Sequence, residues 1–165
     1  MKEYLILCVD DEREVLDSVL QDLSDFEDDF ILEGAESVAE AKEIIQEQQR
    51  ENVPLALILC DHIMPGETGV SFLIQLNEND DTHASRKILL TGQAGHEDTI
   101  EAVNHSCLDF YINKPWRGDE LRDVIKQQLT TFMIKHEPEL MPWARILDTE
   151  RIFNALSKNR INYGD

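Results

Sequence analysis

The chain has 165 residues, 42% of them hydrophobic, enough for one domain with a substantial core plus an extension. Its formal net charge is −19, and residues 131–165 hold five basic and five acidic residues, so the whole excess lies in residues 1–130. Such a surface repels phosphate backbones and argues against direct nucleic-acid binding; with no apolar run of 18 residues, no membrane span is expected either.

Residues 4–9 form an apolar run of strand length, too short for a signal-peptide core, and a cytoplasmic protein is expected. Leu16, Val19, Leu20 and Leu23 then recur at helical spacing. Residues 30–35 read as a weaker strand. Ser37-Val38-Ala39-Glu40 is a capping box, opening a helix with Val38, Ala41 and Ile45 on one face. Residues 55–60 are the second strongly apolar run, followed by Val70, Leu73 and Ile74 at helical spacing. A strand is predicted over 87–91, a helix through Ile100, Val103 and Cys107, a fifth strand over 109–113 with Phe110 and Ile112 in the core, and a fifth helix through Leu121, Val124, Ile125 and Leu129. Five successive strand–helix units imply a parallel sheet covered by helices on both faces, an α/β doubly wound fold. Strands without alternation fit burial on both faces.

The polar residues that matter fall at strand ends. Asp10 and Asp11 follow the first strand, Asp61 the third, Thr91 ends the fourth and Lys114 follows the fifth. In a parallel sheet these positions share the carboxyl edge, where open α/β sheets bind ligands. Three carboxylates repel unless a cation joins them, and an all-oxygen set with room for waters suits Mg²⁺. Lys114 adds a positive charge and Thr91 a hydroxyl. Together they equip the edge for phosphoryl transfer to a carboxylate nucleophile. The five histidines show no ligand spacing, and His62 reads as a loop residue. The cysteines Cys8, Cys60 and Cys107 form no C-x-x-C pair, so neither a disulfide framework nor a zinc site is expected.

Val9-Asp10-Asp11-Glu12, Asp61-His62-Ile63-Met64-Pro65 with Gly69, Leu90-Thr91-Gly92 and Tyr111-Ile112-Asn113-Lys114-Pro115 together resemble the receiver domains of two-component response regulators over about residues 3–130. The resemblance implies a flavodoxin-like, five-stranded sheet of order 2-1-3-4-5. It makes Asp61 the phospho-acceptor, served by a histidine kinase or histidine phosphotransfer protein. It gives Mg²⁺ to Asp11, Asp61 and the main-chain carbonyl of Ile63, with Asp10 assisting through water. It assigns the phosphoryl group to Lys114 and a switching motion to Thr91 and Tyr111. It also implies a cis peptide before Pro115, and an output face for a partner on the fourth helix, fifth strand and fifth helix. Ile63 and Gln93 occupy positions that border the phosphate pocket in the family. Such a protein is a signalling switch rather than an enzyme, limited to gaining and slowly losing its own phosphoryl group. A phosphohydrolase with an aspartyl-phosphate intermediate is the alternative, but Ile63, two residues after Asp61, cannot act as an acid. A phosphate-independent binding module is a third reading, opposed by the intact acids, Thr91 and Lys114.

The division expected is a receiver over 1–130 and a mostly helical extension over 131–165. Pro138 and Pro142 interrupt the chain there, and Asp148 is placed to cap a last helix with Ile152, Ala155 and Leu156 on one face. Phe132, Trp143, Phe153 and Tyr163 either pack back on the receiver, form a homodimer or partner surface, or open a further domain. Trp116 reads as a packing residue, and removal of 137–165 is expected to leave a folded receiver.

Overall fold

The protein is described by a computed structural model over residues 2–92 and 107–163, the side chains of 160–163 excepted. The predicted helix through Ile100 and Val103, and Gln93, lie outside the described residues. Strands β1 (Leu5–Val9), β2 (Ile31–Ala35), β3 (Leu55–Asp61), β4 (Arg86–Thr91) and β5 (Phe110–Asn113) form one parallel sheet of order β2-β1-β3-β4-β5. The helices are α1 (Arg13–Asp22), α2 (Val38–Arg50), α3 (Gly69–Glu78), α4 (Gly118–His136) and α5 (Thr149–Tyr163).

The unbroken apolar runs are explained by the sheet's two faces. Side chains alternate along a strand, so Leu5, Leu7 and Val9 of β1 join one core with α2 and α3. Ile6 and Cys8 join the other, beneath α1 and α4. β3 divides likewise, with Ile58 and Cys60 against Leu57 and Leu59. Every residue of β1 and β3 is buried. The edge strand β5 is not: Phe110, expected in the core, is 44% exposed, while Ile112 packs inward.

Helix starts follow the sequence signals. Ser37 Oγ accepts from Glu40 N–H at 3.1 Å, and Glu40 reaches back to Glu36 N–H at 3.0 Å, one residue before the cap. Thr68 Oγ1 caps α3 by accepting from Ser71 N–H at 3.1 Å. At the other edge of the sheet, Lys87 is buried and donates to the carbonyls of Thr82, His83 and Ser85 at 3.1, 3.0 and 2.8 Å. All three ammonium protons are thereby satisfied, which is what lets a lysine sit in a core.

The segment after residue 130 is built into the molecule. α4 continues to His136, and a short 3₁₀ turn, Met141–Trp143, leads to α5. Trp143 is 1% exposed and lies against Tyr4 and Phe30, with ring centroids 5.8 and 5.1 Å away. Leu140, Leu147 and Ile152 are buried in the same core as α1 and α4. Asp148 Oδ1 caps α5 by accepting from Arg151 N–H at 3.0 Å. Arg151 donates to Gln127 O at 3.0 Å and Thr131 Oγ1 at 2.8 Å on α4, and Arg145 pairs with Asp29. Of the tail aromatics, Phe132 and Trp143 pack inward, Phe153 is 46% exposed, and the side chain of Tyr163 lies outside the described residues.

Burial also sets an alkaline limit. It pushes the Cys8 thiol up to about 12 and raises that of Cys60, which also feels the charges of Asp61 and Asp10. Above the ordinary thiol range of about 8.5 the unfolded chain releases protons that the folded chain keeps, so stability falls as pH rises. Urea titrations between pH 8 and 11 should show unfolding free energy dropping by up to ~1.4 kcal/mol per pH unit for each thiol. Cys8→Ala should be less stable at neutral pH yet show a shallower alkaline slope. Equal slopes would disprove the assignment.

Candidate functional site: the carboxyl edge of the sheet

Strand register brings the acids together. Val9 pairs with Cys60, so the next residues, Asp10 and Asp61, are neighbours at the sheet edge. Asp61 pairs with Leu90, and Thr91 pairs with Asn113, which places Lys114 across from them. Main-chain bonds fix the strand ends: Asp10 N–H donates to Ala35 O at 3.0 Å, His62 N–H to Leu90 O at 3.2 Å, and Lys114 N–H to Thr91 O at 2.9 Å. The Lys114–Pro115 peptide is cis.

Carboxylate oxygens of Asp10, Asp11 and Asp61 all lie within 4.8 Å of one another. Asp10 is 1% and Asp61 7% exposed, whereas Asp11 faces solvent. Asp10 Oδ1 accepts from Glu12 N–H at 2.9 Å, which orients it at the start of α1. Lys114 Nζ donates to Asp61 Oδ1 at 2.9 Å and Asp10 Oδ2 at 3.3 Å. One cation thus bonds two of the three acids. Burial and the charge of Asp10 raise the Asp61 carboxyl above its ordinary range, though Lys114 pulls it down. Burial draws Lys114 down, but the hydrogen bond and charge of Asp61, with Asp10, outweigh it and hold the ammonium above its usual value. Both directions express a cluster short of positive charge.

The all-oxygen, partly solvated donor set fits a hard divalent cation such as Mg²⁺. The side chain of Ile63 is 66% exposed beside this cluster. Thr91 is buried and its hydroxyl donates to Gly92 O at 2.7 Å, while Tyr111 is 48% exposed. Of the residues singled out from sequence, the structure gathers Asp10, Asp11, Asp61 and Lys114 into contact, with Thr91 on the adjoining strand end and Tyr111 on the open face of β5.

Two features at this edge were not legible in the sequence. His62 lies in the loop after β3, as expected, but it is buried and its Nδ1 accepts from Val70 N–H at 3.4 Å, so it anchors α3. Gly69 packs so closely that a Cβ there would stand 2.1 Å from Asp61 O. Any side chain would push α3 away from the Asp61 backbone.

Residues 6–126 match the family model described as the response regulator receiver domain. The chain is 34% identical over 126 residues to the hydrogenase transcriptional regulatory protein HoxA of Cupriavidus necator, covering 76% of this chain and 24% of that protein. It is 32% identical over 127 residues to the response regulator Rre1 of Synechocystis, covering 75% and 51%. The chain therefore spans from about a quarter to about half the length of these relatives. Among solved structures, a CheY-like response regulator receiver domain protein from Methanospirillum hungatei superposes with a TM-score of 0.68 at 28% identity, over 81% of this chain and 99% of that one.

Proposed function

The chain belongs to the response regulator receiver domain family, and from that premise we propose that Asp61 accepts a phosphoryl group from a histidine kinase or histidine phosphotransfer protein and switches a protein-binding face. The observation that carries this reading is the meeting of Asp10, Asp11 and Asp61 with Lys114 at one sheet edge. Asp61 combines a buried position with an oxygen bonded to Lys114.

In the proposed step an Asp61 oxygen attacks the phosphorus of a phosphohistidine. An O–P bond forms, the N–P bond breaks, and the electron pair leaves on the imidazole nitrogen. Lys114, already beside that oxygen, neutralises the charge on the phosphoryl group. Asp10, Asp11 and Asp61, with the main-chain carbonyl of Ile63, would hold Mg²⁺, whose contribution when bound is to neutralise and orient phosphoryl oxygens. Thr91 exchanges its bond to Gly92 O for one to the phosphoryl group, and Tyr111 leaves its exposed position on β5. The responding face is built on β5 and α4.

The protein acts as a cytoplasmic switch, without turnover of an outside substrate. Ile63 offers no acid or base two residues after Asp61, which disfavours the phosphohydrolase alternative. HoxA of Cupriavidus necator is named as a transcriptional regulator. This chain's own acidic surface favours output through protein contact. Residues 1–130 form the switching unit, with 131–165 docked on it.

Acetyl phosphate with Mg²⁺ should add one phosphoryl group, seen by acid-quench mass spectrometry, and the absence of an adduct would reject the reading. Lys114→Ala should stay folded yet uncouple the switch. In wild type, beryllofluoride should shift backbone NMR signals of residues 110–124; in Lys114→Ala those shifts should be largely lost. A full wild-type response in the variant would remove Lys114 from its role.

A further inference from the structure

We propose that Asp22 and Trp116 are a pair of positioning residues that fix the segment carrying Lys114, a role that rests on the phosphoryl-transfer reading above. The Trp116 indole N–H donates to Asp22 Oδ2 at 2.9 Å, joining residues 94 positions apart. Asp22 is the last residue of α1, and Trp116 stands two residues after Lys114.

Residues 114–117 lie between β5 and α4 in neither strand nor helix. On one side this segment is tied down by the bond from Lys114 N–H to Thr91 O. On the other, the Trp116 ring packs partly buried against the α1 and α4 core, and its polar edge ends on Asp22. Gly118 at the start of α4 leaves room for the Asp22 carboxylate, whose Oδ1 would lie a tight 3.1 Å from a Cβ there. A bond to a charged acceptor is of the stronger kind.

The consequence for the site comes through α1. Asp10 and Asp11 lie in the short connection between β1 and α1, with Glu12 between them and the helix, and Asp22 ends that helix. Asp10 Oδ1 accepts from Glu12 N–H at the helix start, so the acids are tied to the beginning of the element whose far end holds the Trp116 anchor. The anchor sets where the Lys114 main chain stands relative to Asp10 and Asp11. Lys114 has a long, flexible side chain, 26% exposed, that must reach Asp61. A shift of its backbone by an ångström is of the size that degrades a preorganised charge clamp.

A purely structural role would predict lower melting temperatures and unchanged chemistry in the folded protein. The distinguishing experiment measures initial phosphorylation rates with acetyl phosphate and Mg²⁺ at 25 °C, alongside melting temperatures, on the full chain. Trp116→Phe keeps a packing ring and removes the donor; Asp22→Leu removes the acceptor; Asp22→Asn keeps an acceptor oxygen. Trp116→Phe and Asp22→Leu should each slow phosphorylation roughly tenfold, well within what misplacement of a reacting group can cost. Asp22→Asn should stay near the wild-type rate. The Trp116→Phe, Asp22→Leu double variant should be no slower than either single change, because both remove one bond. Wild-type rates in folded Trp116→Phe and Asp22→Leu would overturn the inference while leaving Asp61 as acceptor. An unmodified wild-type protein would overturn the acceptor reading itself, and the positioning role with it.

Discussion

Asp61→Asn should abolish phosphorylation by acetyl phosphate, the wild type alone gaining roughly 80 mass units, the mass of one phosphoryl group. The amide keeps the size of the side chain and an oxygen facing Lys114, but supplies no nucleophilic carboxylate. The same variant should be more stable than wild type when no metal is added. Asp61 shares a pocket edge with Asp10 and Asp11, and its carboxyl is raised mainly by burial. A carboxyl whose folded value lies above its unfolded value makes the fold lose stability as pH rises through that window. The cost is present once the folded carboxyl is ionised. Two like charges 4 Å apart repel by about 4 kcal/mol at an effective dielectric of ~20. The bonds from Lys114 offset much of this, leaving an expected gain of about 1–2 kcal/mol in Asp61→Asn. Mg²⁺ at ten times its dissociation constant should stabilise wild type by about 1.4 kcal/mol, and the variant by less. Four melting curves, two proteins with and without Mg²⁺, decide the matter. A variant less stable than wild type without metal would contradict the clustered charges, and equal gains would place the metal elsewhere.

Removal of residues 137–165 should cost most of the protein's stability, contrary to the expectation from sequence. Trp143 fills the space between Tyr4 and Phe30, and Leu140, Leu147 and Ile152 complete the core over α1 and α4. Truncation would uncover Tyr4 and Phe30, the rings that Trp143 packs against. Trp143→Ala alone should cost about 3–5 kcal/mol, the range for large aromatics cut from a core. For a chain of this size that corresponds to a fall in melting temperature of roughly 10 °C or more. Set against a typical total of about 5–15 kcal/mol, loss of the whole segment should leave little cooperative unfolding in urea. Trp143→Phe should be milder, because the buried indole N–H has no hydrogen-bond partner among the described residues to lose. A truncated chain that melts as sharply and as late as wild type would show that the extension is only laid on a self-sufficient core.

The strands and the acidic edge were legible in the amino-acid sequence because each depends on local pattern, while the strand order came with the family resemblance. An unbroken run such as Leu5–Val9 or Leu55–Cys60 can be buried only with both faces covered. A parallel sheet then puts every strand's carboxyl end on the same edge, so Asp10, Asp61, Thr91 and Lys114 share that edge, and the strand order brings them together. The caps at Ser37 and Asp148 were readable for the same reason, since donor and acceptor lie three residues apart. What the sequence did not reveal are contacts between residues far apart in the chain, where no periodicity marks the partner. Nothing near Trp143 announces that it completes the aromatic group of Tyr4 and Phe30, so packing back on the receiver stayed one option among several. Likewise no local rule joins Asp22 to Trp116, 94 residues apart. Phe110 is a large apolar side chain of the kind found in cores, yet it stands on the edge strand β5 and is 44% exposed. Tertiary packing decided these cases, because burial and partner choice follow from the whole shape that the local elements assemble.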